Sequence, residues 1–257
     1  MNIPILLYHS VSDQATTPYR PWSMPIAEFE LHMACLLEQG YQPMTLSSIA
    51  QAIRSGSANL PKRPVVLTFD DGMADFLSGA VPILKKYQFP STLYVATGYV
   101  GETSRWMKML GEQNRPMLSW KEIAALENVE IAAHSHTHRQ LDIIPLAQAQ
   151  EEILTSKKTL EQQLGVPIHS FAFPHGYHTQ KLLNMVKDAG FTSACIVGHR
   201  MATDTSDLFA IPRIIITSDV TTKTLCQYLQ GVGLRNNTLL NQVEKKIWRI
   251  FRQIKGQ

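Results

Sequence analysis

The segment Val65–Gly72, VVLTFDDG, decides the fold, because an apolar and largely β-branched run ends abruptly at two carboxylates and a glycine. Preceded by Pro64, the run has the length and composition of a buried strand rather than a helix. Adjacent strand residues point to opposite faces, so Asp70 and Asp71 can serve one site only if the strand ends near Phe69. The glycine would then allow the sharp turn that follows. The simpler alternative is that Asp70 caps the start of the next helix.

Similar apolar segments recur along the chain and alternate with segments of helical periodicity. Strands are predicted at residues 3–8, 65–69, 92–95, 129–133, 170–173, 192–197 and 210–217. Helices are predicted at residues 25–39, 47–54, 73–87, 145–164 and 179–189, and Ser119 with Glu122 forms a capping box before a further helix. Nearly all-apolar strands that alternate with helices indicate an α/β protein with a parallel sheet covered on both faces. With seven such units, an incomplete barrel is the economical arrangement.

Composition excludes several classes of protein. The 257 residues carry 24 basic and 21 acidic side chains, and a formal net charge of +3 gives no electrostatic footprint for nucleic acid. No run approaches the ~20 apolar residues of a membrane span, and no secretory leader is recognisable. Cys35, Cys195 and Cys226 are far apart in the chain and odd in number. They therefore predict neither a zinc motif nor a disulfide framework, and a reducing, cytoplasmic location is the simpler expectation.

A second polar cluster, residues 134–138 (HSHTH), follows the fourth predicted strand. Three imidazoles in five residues are costly to bury unpaired, so they lie at the surface or share a ligand. Two histidines and a carboxylate from Asp70 or Asp71, with a position left for water, describe a hydrolytic zinc-type centre. In a continued strand all three histidines face one way, whereas in a helical turn His134 and His138 align. A solvated polar loop is the alternative for this cluster taken by itself.

Together these motifs resemble the polysaccharide deacetylases of carbohydrate esterase family 4. The likeness rests on residues 68–72 (TFDDG), His134 with His138 and residues 173–176 (FPHG), and it is supported at residues 82–87, 97–101 and 118–123. It covers residues ~3–217 and is specific because the motifs occur in order. The resemblance implies a deformed (β/α)7 barrel, in a single domain, that removes N-acetyl or occasionally O-acetyl groups from sugars with the help of a metal. The opening Tyr8-His9 pair is shared with a subset that acts on poly-N-acetylglucosamine-like polymers.

The resemblance also implies roles for individual residues. Asp70 would be the general base, and Asp71, His134 and His138 would bind a divalent metal ion. Zinc is favoured as the metal, although a set of two histidines and one carboxylate also accepts cobalt, nickel or iron. The backbone N–H of His175 would stabilise the oxyanion.

The chain departs from the family pattern at three points, one of which is His175, where tyrosine is usual. Many relatives carry an arginine two residues before the proline of the third motif, where this chain has Ala172. The histidine that usually acts as general acid near the last strand is missing, since no histidine follows His199. We hypothesise that Arg213 takes the orienting role of the missing arginine, and that His9 lines the sugar site or assists protonation. The alternative for Arg213 is a buried ion pair with a helix carboxylate.

Two further residues are candidates for substrate contact. The long stretch of residues 98–117 contains Trp106 and is interpreted as a lid or a wall of the substrate site. A packed surface loop is the alternative for this stretch. Pro174, in the third motif, is the second candidate.

The end of the chain has a different character. Apolar residues between 239 and 254 fall at helical spacing opposite lysines and arginines, which predicts a basic amphipathic helix. Such a helix either packs on the barrel or lies on an anionic membrane surface. Residues 1–230 are therefore predicted to be the catalytic domain and residues 231–257 a C-terminal helix.

The leading prediction is a metal-dependent hydrolase that removes N-acetyl groups from amino-sugar polymers or oligosaccharides. A second interpretation is a deacetylase or deformylase of a lipid-linked sugar at the inner face of the membrane, which the basic tail and the apparent lack of a secretion signal favour. A third, from another class, is an inactive carbohydrate-binding protein, which the missing general acid suggests.

Overall fold

The computed structural model describes residues 1–56 and 59–235, and its centre is a closed barrel of seven parallel strands. The strands are β1 (Ile5–Tyr8), β2 (Pro64–Phe69), β3 (Ser91–Val95), β4 (Val129–Ala133), β5 (Ser170–Ala172), β6 (Ser193–Val197) and β7 (Ile211–Ile215). Each pairs with the next in chain order, and β7 pairs with β1 to close the sheet. The join between β4 and β5 rests on one residue pair, Ala133 with Phe171. The predicted deformed (β/α)7 barrel is confirmed.

Helices cover the outside of the barrel. Within residues 1–56 and 59–235 they are α1 (Ile26–Glu38), α2 (Leu46–Arg54), α3 (Val81–Tyr87), α4 (Trp120–Ala124), α5 (Leu146–Leu164), α6 (Gln180–Asp188) and α7 (Thr222–Leu229). The bounds of α1, α2, α5 and α6 confirm the sequence predictions to within one residue at each end. The capping box is also confirmed, because the Ser119 hydroxyl and the Glu122 carboxylate each accept a hydrogen bond from the other residue's backbone N–H.

The helix predicted at residues 73–87 begins later than expected. Met73 forms an isolated bridge with Met117 instead of a first helical turn. A π-helical turn, Phe76–Ala80, follows and leads into α3. This turn lies against the chain just after β1, where a Cβ on Gly79 would be only 1.9 Å from the carbonyl oxygen of Val11. Tertiary contact, which periodicity does not report, therefore sets the start of this helix.

Alternate strand residues separate the core into two parts. One buried cluster lies between the barrel and its helices and includes Leu6, Leu67, Leu93, Phe171 and Ala194. The other fills the barrel and includes Ile5, Val66, Tyr94, Ala172, Cys195 and Ile211. Because side chains alternate along a strand, the inward set that contains Ile5 and Val66 continues to His9 and Asp70 at the carboxyl ends of β1 and β2. The same alternation brings His134, directly after β4, to this end of the barrel.

The predicted C-terminal amphipathic helix falls mostly on residues 236–257, outside the described residues. The proposed division at residue 230 therefore stays a prediction. Among the described helices, none has the length and the apolar composition needed to cross a membrane.

Candidate active site

Three candidate metal ligands meet at the carboxyl end of the barrel. Asp71 follows β2, His134 and His138 follow β4, and one ligand atom from each lies within 4.8 Å of the others. The Nε2 atoms of His138 and His134 are 3.0 Å and 3.6 Å from Oδ1 of Asp71. That buried oxygen accepts no hydrogen bond from the described residues. Two imidazole nitrogens and an unsatisfied anionic oxygen that converge on one point fit a divalent cation.

The environment of His134 suits a neutral metal ligand. Its Nδ1 atom is 2.8 Å from the carbonyl oxygen of Ala172, so Nδ1–H donates that bond and the Nε2 lone pair faces Asp71. Burial lowers the pKa of His134 to about 4, even though the carboxylate of Asp70 acts in the opposite direction. The imidazole is therefore uncharged near neutral pH, as metal binding requires.

Left-handed backbone conformations shape the loops around these ligands. Asp71, Ser135 and His138 all have positive φ, at 78°, 61° and 56°. After the strand ends at Phe69, the left-handed Asp71 brings its carboxylate to the same opening as Asp70, which resolves the opposite-face problem. In the loop after β4, the Ser135 hydroxyl accepts a hydrogen bond of 3.0 Å from the backbone N–H of His138, which stabilises the turn at residues 135–138. Such strained conformations are typical of functional sites.

The turn also distinguishes among the three histidines. His136 points away from the metal ligands, and its Nδ1 atom is 2.9 Å from Oγ1 of Thr97. The Glu152 carboxylate accepts hydrogen bonds from the backbone N–H groups of His136 and Thr137. His134 and His138 align, as was expected of a helical turn, but residues 134–138 form a bend with left-handed Ser135 and His138 instead of a helix.

Asp70 forms a buried ion pair with Arg213 from β7. Nη1 and Nη2 of Arg213 donate hydrogen bonds of 2.6 Å and 2.7 Å to the two carboxylate oxygens. Burial by itself would raise the pKa of Asp70, but the guanidinium and, to a lesser extent, His134 outweigh it and lower that pKa. The predicted alternative, an ion pair between Arg213 and a helix carboxylate, is wrong, since the partner follows strand β2. Arg213 therefore stands where an orienting arginine would have to stand.

A cavity of about 410 Å³ opens above Asp70 and the candidate metal ligands. Its wall includes the predicted site residues His9, Asp70, Asp71, Trp106, His134, His138 and His175. Trp106 lies in a short 3-10 helix, and its ring centroid is 5.0 Å from that of His138 at an interplanar angle of 31°. This position of Trp106 agrees with the interpretation of residues 98–117 as a lid or wall of the substrate site. Pro174 does not line the cavity and is buried at the base of the turn that carries His175.

His9 and His175 both line this cavity but contact different neighbours. The His9 ring packs on Trp22 at 5.1 Å, and its buried Nδ1 atom has no hydrogen-bond partner among the described residues. The His175 ring is 4.9 Å from that of His138, and its backbone is left-handed with φ of 56°. Burial lowers the pKa of His9, so this ring is uncharged near neutral pH. The His175 side chain, in contrast, is exposed.

Several wall residues were not predicted from the sequence. They are Leu7, Tyr19, Trp22, Tyr177, Val197 and Ile215, whereas Met107, Met109 and Leu110 belong to the stretch 98–117 that was interpreted as a lid or wall. Tyr177 directly follows the third motif, and that adjacency is a signal that could have identified it. Trp22 carries no such signal, because it reaches the site through the loop between β1 and α1.

A parallel barrel whose mouth combines a carboxylate–arginine pair with an aspartate and two histidines defines a metal-dependent hydrolase. A family model described as polysaccharide deacetylase matches residues 57–194, and the chain belongs to that family. It is a carbohydrate deacetylase of the carbohydrate esterase family 4 type.

Individual relatives share both sequence and fold with the chain. The poly-β-1,6-N-acetyl-D-glucosamine N-deacetylase of Staphylococcus aureus is 28% identical over 209 residues, which are 77% of this chain and 69% of that protein. The Streptococcus pyogenes deacetylase PplD, solved in complex with acetate, is 24% identical with a TM-score of 0.77 over 89% of this chain and 98% of that one. IcaB from Ammonifex degensii is 22% identical with a TM-score of 0.76, over 89% and 97% of the two chains. The two structural likenesses establish the barrel fold.

Proposed function

We propose that the chain removes N-acetyl groups from N-acetylglucosamine units of a β-1,6-linked polymer or of its oligosaccharides, with zinc at the candidate metal site. The observation that carries the proposal is the convergence of Asp71, His134 and His138 beside the ionised Asp70 at the floor of one cavity. The Staphylococcus aureus relative, whose name specifies the β-1,6-linked polymer, supports the choice of substrate.

The residues around the cavity divide the chemistry of amide hydrolysis among them. Asp71, His134 and His138 would hold the ion, which would supply Lewis acidity and lower the pKa of the attacking water. Asp70 accepts the proton of the attacking water, and Arg213 keeps its carboxylate ionised and oriented. The roles follow from distance, since Oδ2 of Asp70 is 3.6 Å from Nε2 of His134 and therefore borders the metal site.

Charge that develops on the acyl oxygen needs a donor outside the metal ligands. We propose the backbone N–H of His175 for this role. In support, the residue lines the cavity, its backbone is left-handed and its ring lies 4.9 Å from that of His138. His9, with its unpartnered Nδ1 atom on the cavity wall, contacts the leaving amine and orients it to receive the proton that Asp70 has taken from the water. Unchanged turnover in His9→Ala would remove His9 from this mechanism.

Acetate release with and without chelator tests the central proposal. We expect the purified protein to release acetate from β-1,6-linked N-acetylglucosamine oligomers, to lose this activity with chelator and to regain it with zinc. Asp71→Ala should lose both metal and turnover, whereas Asp70→Asn should keep the metal and lose roughly 100-fold or more in kcat, the contribution typical of a general base. Metal retention by Asp71→Ala, or acetate release that survives exhaustive chelation, would contradict the assignment.

Trp106 provides a test of the substrate wall. Because its ring lies on the cavity wall, 5.0 Å from that of His138, Trp106→Ala should lower kcat/KM by about 10-fold through lost sugar stacking, with zinc content unchanged. Trp106→Phe keeps an aromatic face and should retain most of the activity. The comparison uses β-1,6-linked oligomers beside β-1,4-linked chitin oligomers. Faster turnover of the chitin series by the unmodified protein would overturn the proposed linkage but not the deacetylase chemistry.

A further inference from the structure

Two cysteines that are remote in sequence lie side by side on the outside of the barrel. Cys35 is on α1 and Cys226 on α7, 191 positions apart, and their Sγ atoms are 2.9 Å from each other. A disulfide bond joins sulfur atoms at about 2.05 Å, so a shift of less than about 1 Å separates this arrangement from a covalent bond. The pair takes no part in the active site.

Contacts on both sides of the pair fix the two helices against each other. The backbone N–H of Thr222, at the start of α7, donates a hydrogen bond of 2.6 Å to Glu28 on α1. The hydroxyl of Tyr41, just beyond α1, donates one of 3.2 Å to the carbonyl oxygen of Leu229 at the end of α7. The cysteines lie between these two anchors, so their proximity is a property of the packed helices and not of one flexible side chain.

We propose that Cys35 and Cys226 form an intramolecular disulfide that ties helix α1 to helix α7. The oxidant is a disulfide of the small-molecule or oxidoreductase class. The Cys226 thiolate attacks one sulfur of that disulfide and expels the first thiol. Cys35 then loses its proton, attacks the Cys226 sulfur and expels the second thiol. Two protein thiols and one disulfide thus give one protein disulfide and two thiols.

The surroundings of the two sulfur atoms fit this order of events. Cys226 is partly exposed, whereas Cys35 is buried, so an external disulfide reaches Cys226 first. Burial, together with the neighbouring Cys226, raises the pKa of the Cys35 thiol to about 12. In the reduced protein, the Cys35 thiolate is therefore not stabilised. Because the reduced form lacks this stabilisation, the disulfide is favoured at equilibrium.

The third cysteine provides an internal reference. Cys195 is on β6 inside the barrel, where the hydroxyl of Tyr94 donates a hydrogen bond of 3.4 Å to its sulfur. It lies in the buried cluster that fills the barrel, apart from the α1–α7 contact. We expect it to remain a thiol. The expectation of a reducing compartment rested on the separation of the cysteines in the sequence, and a stable Cys35–Cys226 bond is instead a property of proteins from oxidising compartments.

The test uses the full chain, equilibrated with an excess of oxidised glutathione and then alkylated under denaturing conditions. We expect one alkylated cysteine per chain, Cys195, and a tryptic peptide pair that links Cys35 to Cys226, identified by mass spectrometry. The oxidised protein should melt about 5 to 15 °C above the reduced protein, because the bond closes a very long loop. Cys35→Ser and Cys226→Ser should lose this difference, whereas Cys195→Ala should keep it.

Other outcomes would overturn the proposal. Three alkylated cysteines after oxidation, or glutathione retained on Cys226, would show that the two sulfurs do not form the bond. A linked pair with no rise in melting temperature would show that the bond does not act as a tie. Because alkylation and peptide mapping use the unmodified chain, they decide the matter even if a serine variant fails to fold, and deacetylase activity does not enter the readout.

Discussion

Asp70 is a buried carboxylate whose ionisation depends mainly on the neighbouring guanidinium of Arg213. Removal from water favours the protonated form and would raise its pKa, yet two short hydrogen bonds from the fully buried Arg213 reverse the direction. Arg213 in turn gains charge stabilisation from the carboxylate and from the face of Tyr94, 5.2 Å from its Cζ atom. Asp70 must be ionised to accept a proton. Arg213, which does not line the cavity, thus keeps it ionised.

Arg213→Met should therefore move the pH dependence of activity. Without the guanidinium, burial dominates and the pKa of Asp70 rises, so the acid limb of kcat/KM shifts to higher pH. An unpaired buried carboxylate should also cost about 3 to 5 kcal/mol of unfolding free energy. Arg213→Lys, which keeps a charge but not the bidentate pair, should shift the limb less.

The measurement is kcat/KM for acetate release across pH, with urea unfolding of the same proteins. Arg200→Met, at a partly exposed arginine outside the site, is the control and should leave the acid limb in place. An acid limb in Arg213→Met that coincides with the unmodified protein's would leave Arg213 a structural role alone.

The chemistry of the candidate site was largely predictable at the residue scale. Carboxylates and imidazoles reveal a metal centre because few other roles explain such groups at the ends of apolar strands. The hypothesis for Arg213 placed it at the correct rim for the same reason. The left-handed conformation of Asp71 was not predictable, since it depends on the surrounding loops rather than on a local propensity. Trp22 and Tyr19 were missed because their contacts are tertiary.

At the scale of elements, local signals predicted helix ends well where a cap was present. Ser119 and Glu122 form their box as expected, and Thr179 caps α6 with its hydroxyl. The segment after Asp71 carries helical periodicity but no cap of this kind, and its first residues form a bridge and a π turn instead. Periodicity reports which face is apolar, whereas the π turn depends on how closely Gly79 approaches Val11.

Gly79→Ala tests that close approach. The added methyl group would meet the carbonyl oxygen of Val11 at 1.9 Å, so the π turn or the chain after β1 must shift. We expect a loss of about 1 to 3 kcal/mol in unfolding free energy, measured by urea denaturation. Ser78→Ala, at the exposed neighbouring position, is the matched control and should change stability by less than about 0.5 kcal/mol. Equal stability of the two variants would mean that the turn relaxes without cost.

At the scale of the whole molecule, the barrel is closed by its first and last elements. Strand β7 pairs with β1, and helix α7 packs on α1, so the two ends of the described barrel stabilise each other. The apolar strands predicted this parallel sheet. Sequence patterns did not predict which side chains join the elements at the closing seam, the contact of β7 with β1 and of α7 with α1. His32 is an example, because its helical spacing indicates only that it faces inward.

His32 connects three parts of this seam. Its Nδ1 atom is 3.1 Å from the hydroxyl of Tyr8 on β1, and its Nε2 atom is 2.9 Å from the carbonyl oxygen of Val220, just before α7. Burial lowers the pKa of His32 below its ordinary value of 6.5, although Glu28 and the Val220 carbonyl oppose this effect. The folded protein therefore keeps this imidazole neutral at a pH where the unfolded chain has begun to protonate it.

This difference makes the seam sensitive to acid. Between the lower pKa of the folded state and 6.5, the unfolded chain binds more protons, so the free energy of unfolding falls as pH falls, by at most about 1.4 kcal/mol per pH unit from this group. Above pH 6.5 the contribution of His32 to the free energy of unfolding is fully present. His32→Gln should be less stable throughout but should lose less stability than the unmodified protein between pH ~7.5 and ~5.5. Urea unfolding of both proteins at the two pH values measures how much stability each one loses, and the contributions of other buried histidines cancel when the losses are compared.

His169→Gln, at an exposed histidine, is the control and should retain the unmodified protein's pH dependence. A loss of stability in His32→Gln as steep as that of the unmodified protein would exclude His32 as the source of the acid sensitivity.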